Sequence, residues 1–246
     1  MIYSTFEQFS IIRLVPMHPW GNMDLSFTNS ALFILIAATI IIALHNIQNK
    51  IIPSRWQSVL EIIYENISNV VKENIGTSGS KFFPFIFTIF FLLAVMNLVG
   101  IVPYTFTPTA HIIIAMGMSL SIWIGCTILG LILHKSDFFS MFMPAGTPIA
   151  MAPLIVPIEL ISYCTKAITL GVRLAANITA GHLLFAILAG FTWKMLISFS
   201  YLSILSAIPF LIVVAITVLE MAVALIQAYV FSLLLSIYIN DTIHLH

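Results

Sequence analysis

From Phe27 onward the sequence is dominated by apolar runs, each about 20 residues or longer, parted by more polar stretches. That pattern leaves few folds open. In lipid only helices and closed barrels satisfy every backbone group. A barrel would alternate apolar and polar residues in short strands, whereas these runs are continuous. Only 7% of the chain is charged, against about a quarter in a soluble domain. The expected fold class is therefore all-α: a polytopic membrane protein with an interfacial amphipathic helix, two middle spans and a long tilted C-terminal helical hairpin. The formal net charge is zero and no basic patch is visible, which argues against nucleic-acid binding. Cys126 and Cys164 stand singly in apolar runs and form no metal or redox motif. No basic region followed by a short apolar core opens the chain, so no cleavable secretory signal is expected.

The whole chain reads as one membrane domain. Residues 1–26 form an irregular lead-in with Pro16, His18, Pro19 and Gly21. A first span covers 27–47. In 54–75, Trp56, Leu60, Ile63, Ile67, Val70 and Val71 recur at helical spacing, with Glu61, Glu65, Asn66, Asn69, Lys72 and Glu73 on the other side. Such a helix lies in the interface plane, with Ser54 as its cap; packing against a soluble partner is the alternative. Spans at 82–102 and 111–134 follow. The prolines from Pro144 to Pro157 predict a long loop across 138–157. Two segments, 158–191 and 197–240, exceed the ~20 residues that a crossing needs. They should be tilted or kinked, with Pro209 a candidate kink. Lys50, Arg55, Lys72 and Lys81 lie in 48–81, while the 103–110 turn has neither Lys nor Arg. The positive-inside rule then puts the N-terminus outside, the 192–197 turn outside and the C-terminus inside.

The polar residues of the hairpin carry the functional signal. Arg173 sits deep in an apolar run. An Arg at the centre of a membrane helix costs at least about 2.5–3.5 kcal/mol, so it marks function by default; the competing reading is a cation snorkelling from a helix end. On a helix, Glu159 lies about 40° from Arg173 and roughly 21 Å below it, and Lys166 about 20° away. Asn177, four residues on, continues that face. His182 points about 180° away, roughly 13 Å further along. Glu220 and Gln227 are a heptad apart on the last helix. Folding the two helices back about residue 200 brings three pairs to like depth: His182 with Glu220, Arg173 with Gln227, and Glu159 with Asp241. Intramembrane ionisable groups usually pair; coincidence among few polar residues is the alternative. Small residues at Gly171/Ala175, Ala176/Ala180 and Asn177/Gly181 would let another helix approach closely. His182 is the one intramembrane group whose unperturbed pKa lies near neutrality. Lys166 shares the Arg173 face, but its long stem can snorkel, which sets it outside the path.

Leu170-Gly-Val-Arg-Leu-Ala-Ala-Asn-Ile-Thr-Ala-Gly-His-Leu-Leu184 resembles the arginine helix of subunit a of F-type ATP synthases of the mitochondrial, fungal-like kind. Pro144-Ala-Gly-Thr-Pro148, Leu219-Glu-Met-Ala-Val-Ala-Leu-Ile-Gln-Ala-Tyr229 and Ile51-Ile-Pro-Ser-Arg-Trp56 resemble its other hallmark stretches, so the likeness runs nearly end to end. In bacterial relatives a Glu usually stands at the position of His182 and a His at that of Glu220, which is why the resemblance is to the mitochondrial kind. It implies a non-catalytic proton-channel subunit in the mitochondrial inner membrane, N-terminus toward the intermembrane space and C-terminus toward the matrix. It implies the c-ring, other membrane-sector subunits and the peripheral stalk as partners, beside lipid and protons. It assigns Arg173 to the ring carboxylates, with Asn177 and Gln227 as polar neighbours. His182 and Glu220 would line the intermembrane-space half-channel, and Glu159 and Asp241 the matrix one. No cofactor, metal ligand or catalytic residue is expected. There is no G-x-x-x-x-G-K-[ST] stretch to hold a nucleotide. A secondary transporter with a mid-membrane site is the alternative; it predicts internal repeats, and none is visible. A third reading is an assembly subunit whose polar residues glue helices together.

Overall fold

The computed structural model describes residues 9–17, 26–45, 54–102, 105–143, 151–197 and 205–244. Among them six α-helices dominate: α1 Asn29–His45, α2 Arg55–Ile75, α3 Phe83–Ile101, α4 Ile112–His134, α5 Ala152–Ile197 and α6 Ala207–Ile243. The chain is all-α apart from a small ladder, β1 Arg13–Val15 against β2 Phe27–Thr28. Helices α3 to α6 are each long and apolar enough to cross a membrane; α1 is apolar but shorter. Contacts divide the chain into two compact units.

One unit holds residues 1–46, 92–111 and 174–228. Here Ala37 of α1 packs on Val95 and Met96 of α3. The lead-in read as irregular carries β1, and Asn29 ties it down: its side chain donates to the Ser10 carbonyl (3.2 Å) and accepts from the Ile12 amide (3.3 Å). Strands of three and two residues are too short to leave an alternating pattern in a sequence.

The other unit holds residues 47–91, 112–173 and 229–246. Ser54 caps α2, accepting from the Gln57 amide at 3.4 Å. Helix α2 buries Ile67, Val70, Val71 and Ile75, the apolar stripe of its second half. Tyr64 meets the rings of Phe83 and Phe87 edge-on. Trp56, at the start of the same sequence stripe, is 73% exposed on this chain. Helix α4 buries Ala115, Ser119, Ile122, Cys126 and Gly130, a stripe spaced three and four residues apart.

Three boundaries differ from the sequence reading. Helix α5 starts at Ala152, inside the expected loop, and runs through Pro157. Only the first four amides of a helix lack a partner of their own, so Pro157, sixth in α5, forfeits one early bond and does not stop the helix. Pro209 is third in α6, where its missing amide is free of cost, so it opens the helix rather than kinking it. Residues 192–197, read as the outer turn, are the last part of α5. The reversal near residue 200 and the Pro144–Pro148 stretch lie outside the described residues.

The buried stripe of α2 is checked by cysteine labelling of the protein in its native membrane, with Cys126 and Cys164 replaced by Ala. Ile67→Cys should resist a membrane-impermeant maleimide that labels Glu61→Cys. Equal labelling rates would show that the stripe is misplaced.

Candidate functional site

Helix α5 presents two faces. Tyr163, Ala167, Leu170, Leu174 and Ile178 are buried, at the three- and four-residue spacing of one side. Lys166, Arg173 and Asn177 fall on another, where Arg173 and Asn177 are exposed on this chain. Helix α6 differs in placing its polar groups on its buried side. Glu220 (7% exposed) and Gln227 (5%) share that side with Ala224, Ala228 and Phe231.

In the first unit this geometry assembles a polar cluster. His182 Nδ1 lies 3.9 Å from Glu220 Oε1, the neighbours the hairpin register expects. Space for the carboxylate comes from Gly181, where a Cβ would stand 2.8 Å from Glu220 Oε1. His182 Nε2 is 3.0 Å from Thr107 Oγ1, and Phe9 meets the imidazole edge-on. Asn177 Nδ2 donates to Gln227 Oε1 at 3.5 Å, so within this unit the amide partner of Gln227 is Asn177. Deeper in, Thr109 donates to Asn97 Oδ1 (2.9 Å), and Asn97 Nδ2 to the Ala224 carbonyl (3.3 Å). Thr179 donates to the Ala110 carbonyl at 2.9 Å. These bonds fix the 105–111 turn against α5 and α6. At the turn's end, His111 stacks on Phe106 with ring centroids 5.1 Å apart. Glu220 Oε1 and Gln227 Nε2 are buried with no hydrogen-bond partner among the described residues. Leaving such atoms unsatisfied is costly.

The second unit holds the other cluster. Asp241 Oδ2 accepts from Lys166 Nζ at 3.2 Å, and Lys166 lies over the Tyr238 ring, 5.9 Å from its centre. Tyr238 donates to the Lys166 carbonyl at 3.4 Å. This corrects the register, which sets Asp241 beside Glu159 and leaves Lys166 aside. The ammonium is the better partner, because a carboxylate gains from an opposite charge and loses beside a like one. Glu159 is half-buried on α5, two turns before Lys166. Lys166 and Arg173 together line an open groove of about 340 Å³ with Ser162, Thr165, Thr169 and Tyr238. Among the described residues no carboxylate pairs with Arg173. The described residues hold no cluster of His, Cys, Asp and Glu able to bind a metal.

The sequence matches the ATP synthase A chain family over residues 26–240. The chain belongs to that family. It is 46% identical over 253 residues to ATP synthase subunit a of Marchantia polymorpha, covering all of both chains. It is 45% identical over 251 residues to subunit a of Mycosarcoma maydis, with 100% of this chain and 99% of that one aligned. To subunit a of Metridium senile it is 48% identical over 241 residues, 98% of each. As a member, this chain is a multi-pass membrane protein and the proton-translocating subunit of the synthase's membrane sector, where other synthase subunits are its partners.

The Lys166–Asp241 pair gives a test by charge exchange. Lys166→Asp and Asp241→Lys should each lower the amount of assembled complex, since each replaces the attraction with like charges facing one another. The double exchange should recover most of it on a native gel. A double variant no better than the singles would show that the pair is not formed in the complex.

Proposed function

We propose that this subunit carries protons through two offset half-channels against the c-ring, with Arg173 between them. The reading rests on one observation: a permanently charged Arg173 lies exposed on an apolar helix, with no carboxylate partner among the described residues. A guanidinium does not deprotonate in proteins, and in lipid it needs a counter-charge. A carboxylate of the rotating ring supplies one. Facing lipid, that carboxylate holds its proton, because desolvation disfavours the ion; beside Arg173 it releases it, because the opposite charge favours the ion. The same fixed charge discourages a proton from crossing directly between the half-channels, so flow is coupled to rotation. Each charge moved through the membrane potential supplies about 2.3 kcal/mol per 100 mV, and several protons are needed per ATP.

In this reading His182 and Glu220 line the intermembrane-space half-channel. Glu159 and Asp241 line the matrix half-channel, with Lys166 holding Asp241. Asn177 and Gln227 are the polar neighbours of the Arg173 region. The orphaned Glu220 Oε1 facing an imidazole nitrogen supports a proton-exchanging pair. The site lies in the mitochondrial inner membrane, the N-terminus toward the intermembrane space and the C-terminus toward the matrix. Helix α2 lies in the interface plane. The two long helices run tilted along the ring, since both exceed the ~20 residues of a crossing. ATP formation belongs to other subunits.

ATP-driven pumping by the complex in vesicles, with assembly checked separately, tests the reading. Arg173→Ala should assemble yet neither pump nor synthesise ATP; coupled synthesis at the wild-type rate would defeat it. On the intake side, Glu220→Ala should slow pumping severely, Glu220→Asp should keep partial activity, and His182→Ala should be milder. Full pumping by an assembled Glu220→Ala complex would remove Glu220 from the path.

A further inference from the structure

Thr107 belongs to no motif that the sequence singles out, yet it is 5% exposed and sits between a helix end and an imidazole. Its Oγ1 is 3.2 Å from the Gly100 carbonyl and 3.0 Å from His182 Nε2. Gly100 lies in the last turn of α3, where carbonyls lack partners from their own helix. The approach is possible only because position 100 has no side chain; a Cβ there would collide with the Thr107 side chain. The Thr105 hydroxyl also comes within reach of the Gly100 carbonyl, but its single proton has two nearer acceptors. It is 2.6 Å from the Val99 and Val102 carbonyls but 3.3 Å from that of Gly100. A threonine hydroxyl has one proton and two lone pairs. With that proton given to the Gly100 carbonyl, Oγ1 faces His182 as an acceptor. The imidazole must then be the donor at Nε2. A neutral imidazole carries one N–H, so its Nδ1 is left bare, and Nδ1 is the nitrogen turned to Glu220.

We propose that Thr107 is a positioning residue that locks His182 in the Nε2–H tautomer, so that the ring exchanges protons with Glu220 at Nδ1 alone. A proton leaving the Glu220 carboxyl bonds to the Nδ1 lone pair, giving imidazolium beside carboxylate. The reverse step breaks that N–H bond and restores both neutral groups. The Nε2–H bond to Thr107 persists throughout, and the ring does not turn over. The 3.9 Å separation exceeds a hydrogen bond by about 1 Å, which a side-chain adjustment closes. Of the elements packed on the ring, α6 brings Glu220, the 105–111 turn brings the Thr107 hydroxyl and the N-terminal segment brings Phe9. Glu220 is the titratable group among these contacts. The proposal deepens the half-channel reading, and the role in pumping rests on that reading.

The test uses the intact synthase complex labelled with [15N]histidine. Solid-state NMR reads the tautomer, and the His182 signals are identified by their loss in His182→Gln. The wild-type complex should show protonated Nε2 and bare Nδ1. Thr107→Val, which keeps the shape and removes the hydroxyl, should populate both tautomers. It should also slow pumping about fivefold, the factor expected for one ordinary hydrogen bond. Thr107→Ser should restore the single tautomer and most of the rate. Protonated Nδ1 in the wild type, or a Thr107→Val spectrum identical to it, would overturn the proposal. The expected spectra together with full pumping by Glu220→Ala would overturn the half-channel reading and leave the tautomer assignment standing.

Discussion

In a membrane the helix backbone satisfies itself, so the arrangement of helices rests on which side chains share a stripe. Helix α6 makes this plain. Glu220 and Gln227 lie on the same buried side as Ala224, Ala228 and Phe231. The packing that excludes lipid from this side therefore also encloses the two polar groups. Lipid offers such groups nothing, and each needs a partner or a purpose. The remaining polar features of that unit follow: Gly181 leaves room for the carboxylate, His182 faces it, and Asn177 meets Gln227.

The exposed polar side of α5 obeys the opposite logic. Arg173 is exposed on this chain. In water an exposed Arg is ordinary; on a helix this apolar it requires something outside the chain to face it. The family supplies that context. Members are subunits of an ATP synthase, not isolated channels. An exposed Arg on so apolar a helix fits a subunit that is assembled with others.

Much of this was legible in the sequence. Continuous apolar runs fix helices, because no other open structure satisfies the backbone in lipid. The His182–Glu220 pairing followed from counting along two antiparallel helices. The Lys166–Asp241 pairing did not, because counting treats helices as parallel rods and ignores which partner a carboxylate prefers. Pro157 and Pro209 misled for a related reason. A proline's effect depends on its distance from the helix start, and both starts lie within a few residues of a proline. Thr107 was invisible. Threonine is common in turns, and its importance comes from a hydroxyl meeting residues seven and seventy-five positions away.

The alanines that flank Gln227 have a consequence for time. Ala224 and Ala228 are wholly buried, so α6 presses backbone-close on its neighbours at that level. Interiors packed so tightly resist continuous deformation. A shift of the whole helix would belong to the microsecond range or slower, whereas side-chain rotations run in roughly picoseconds to nanoseconds. With the backbone held, the Glu220 carboxylate reaches His182 by rotating its own bonds. Adjustment within the pair is thereby set to a faster clock than any shift of the helix that carries it.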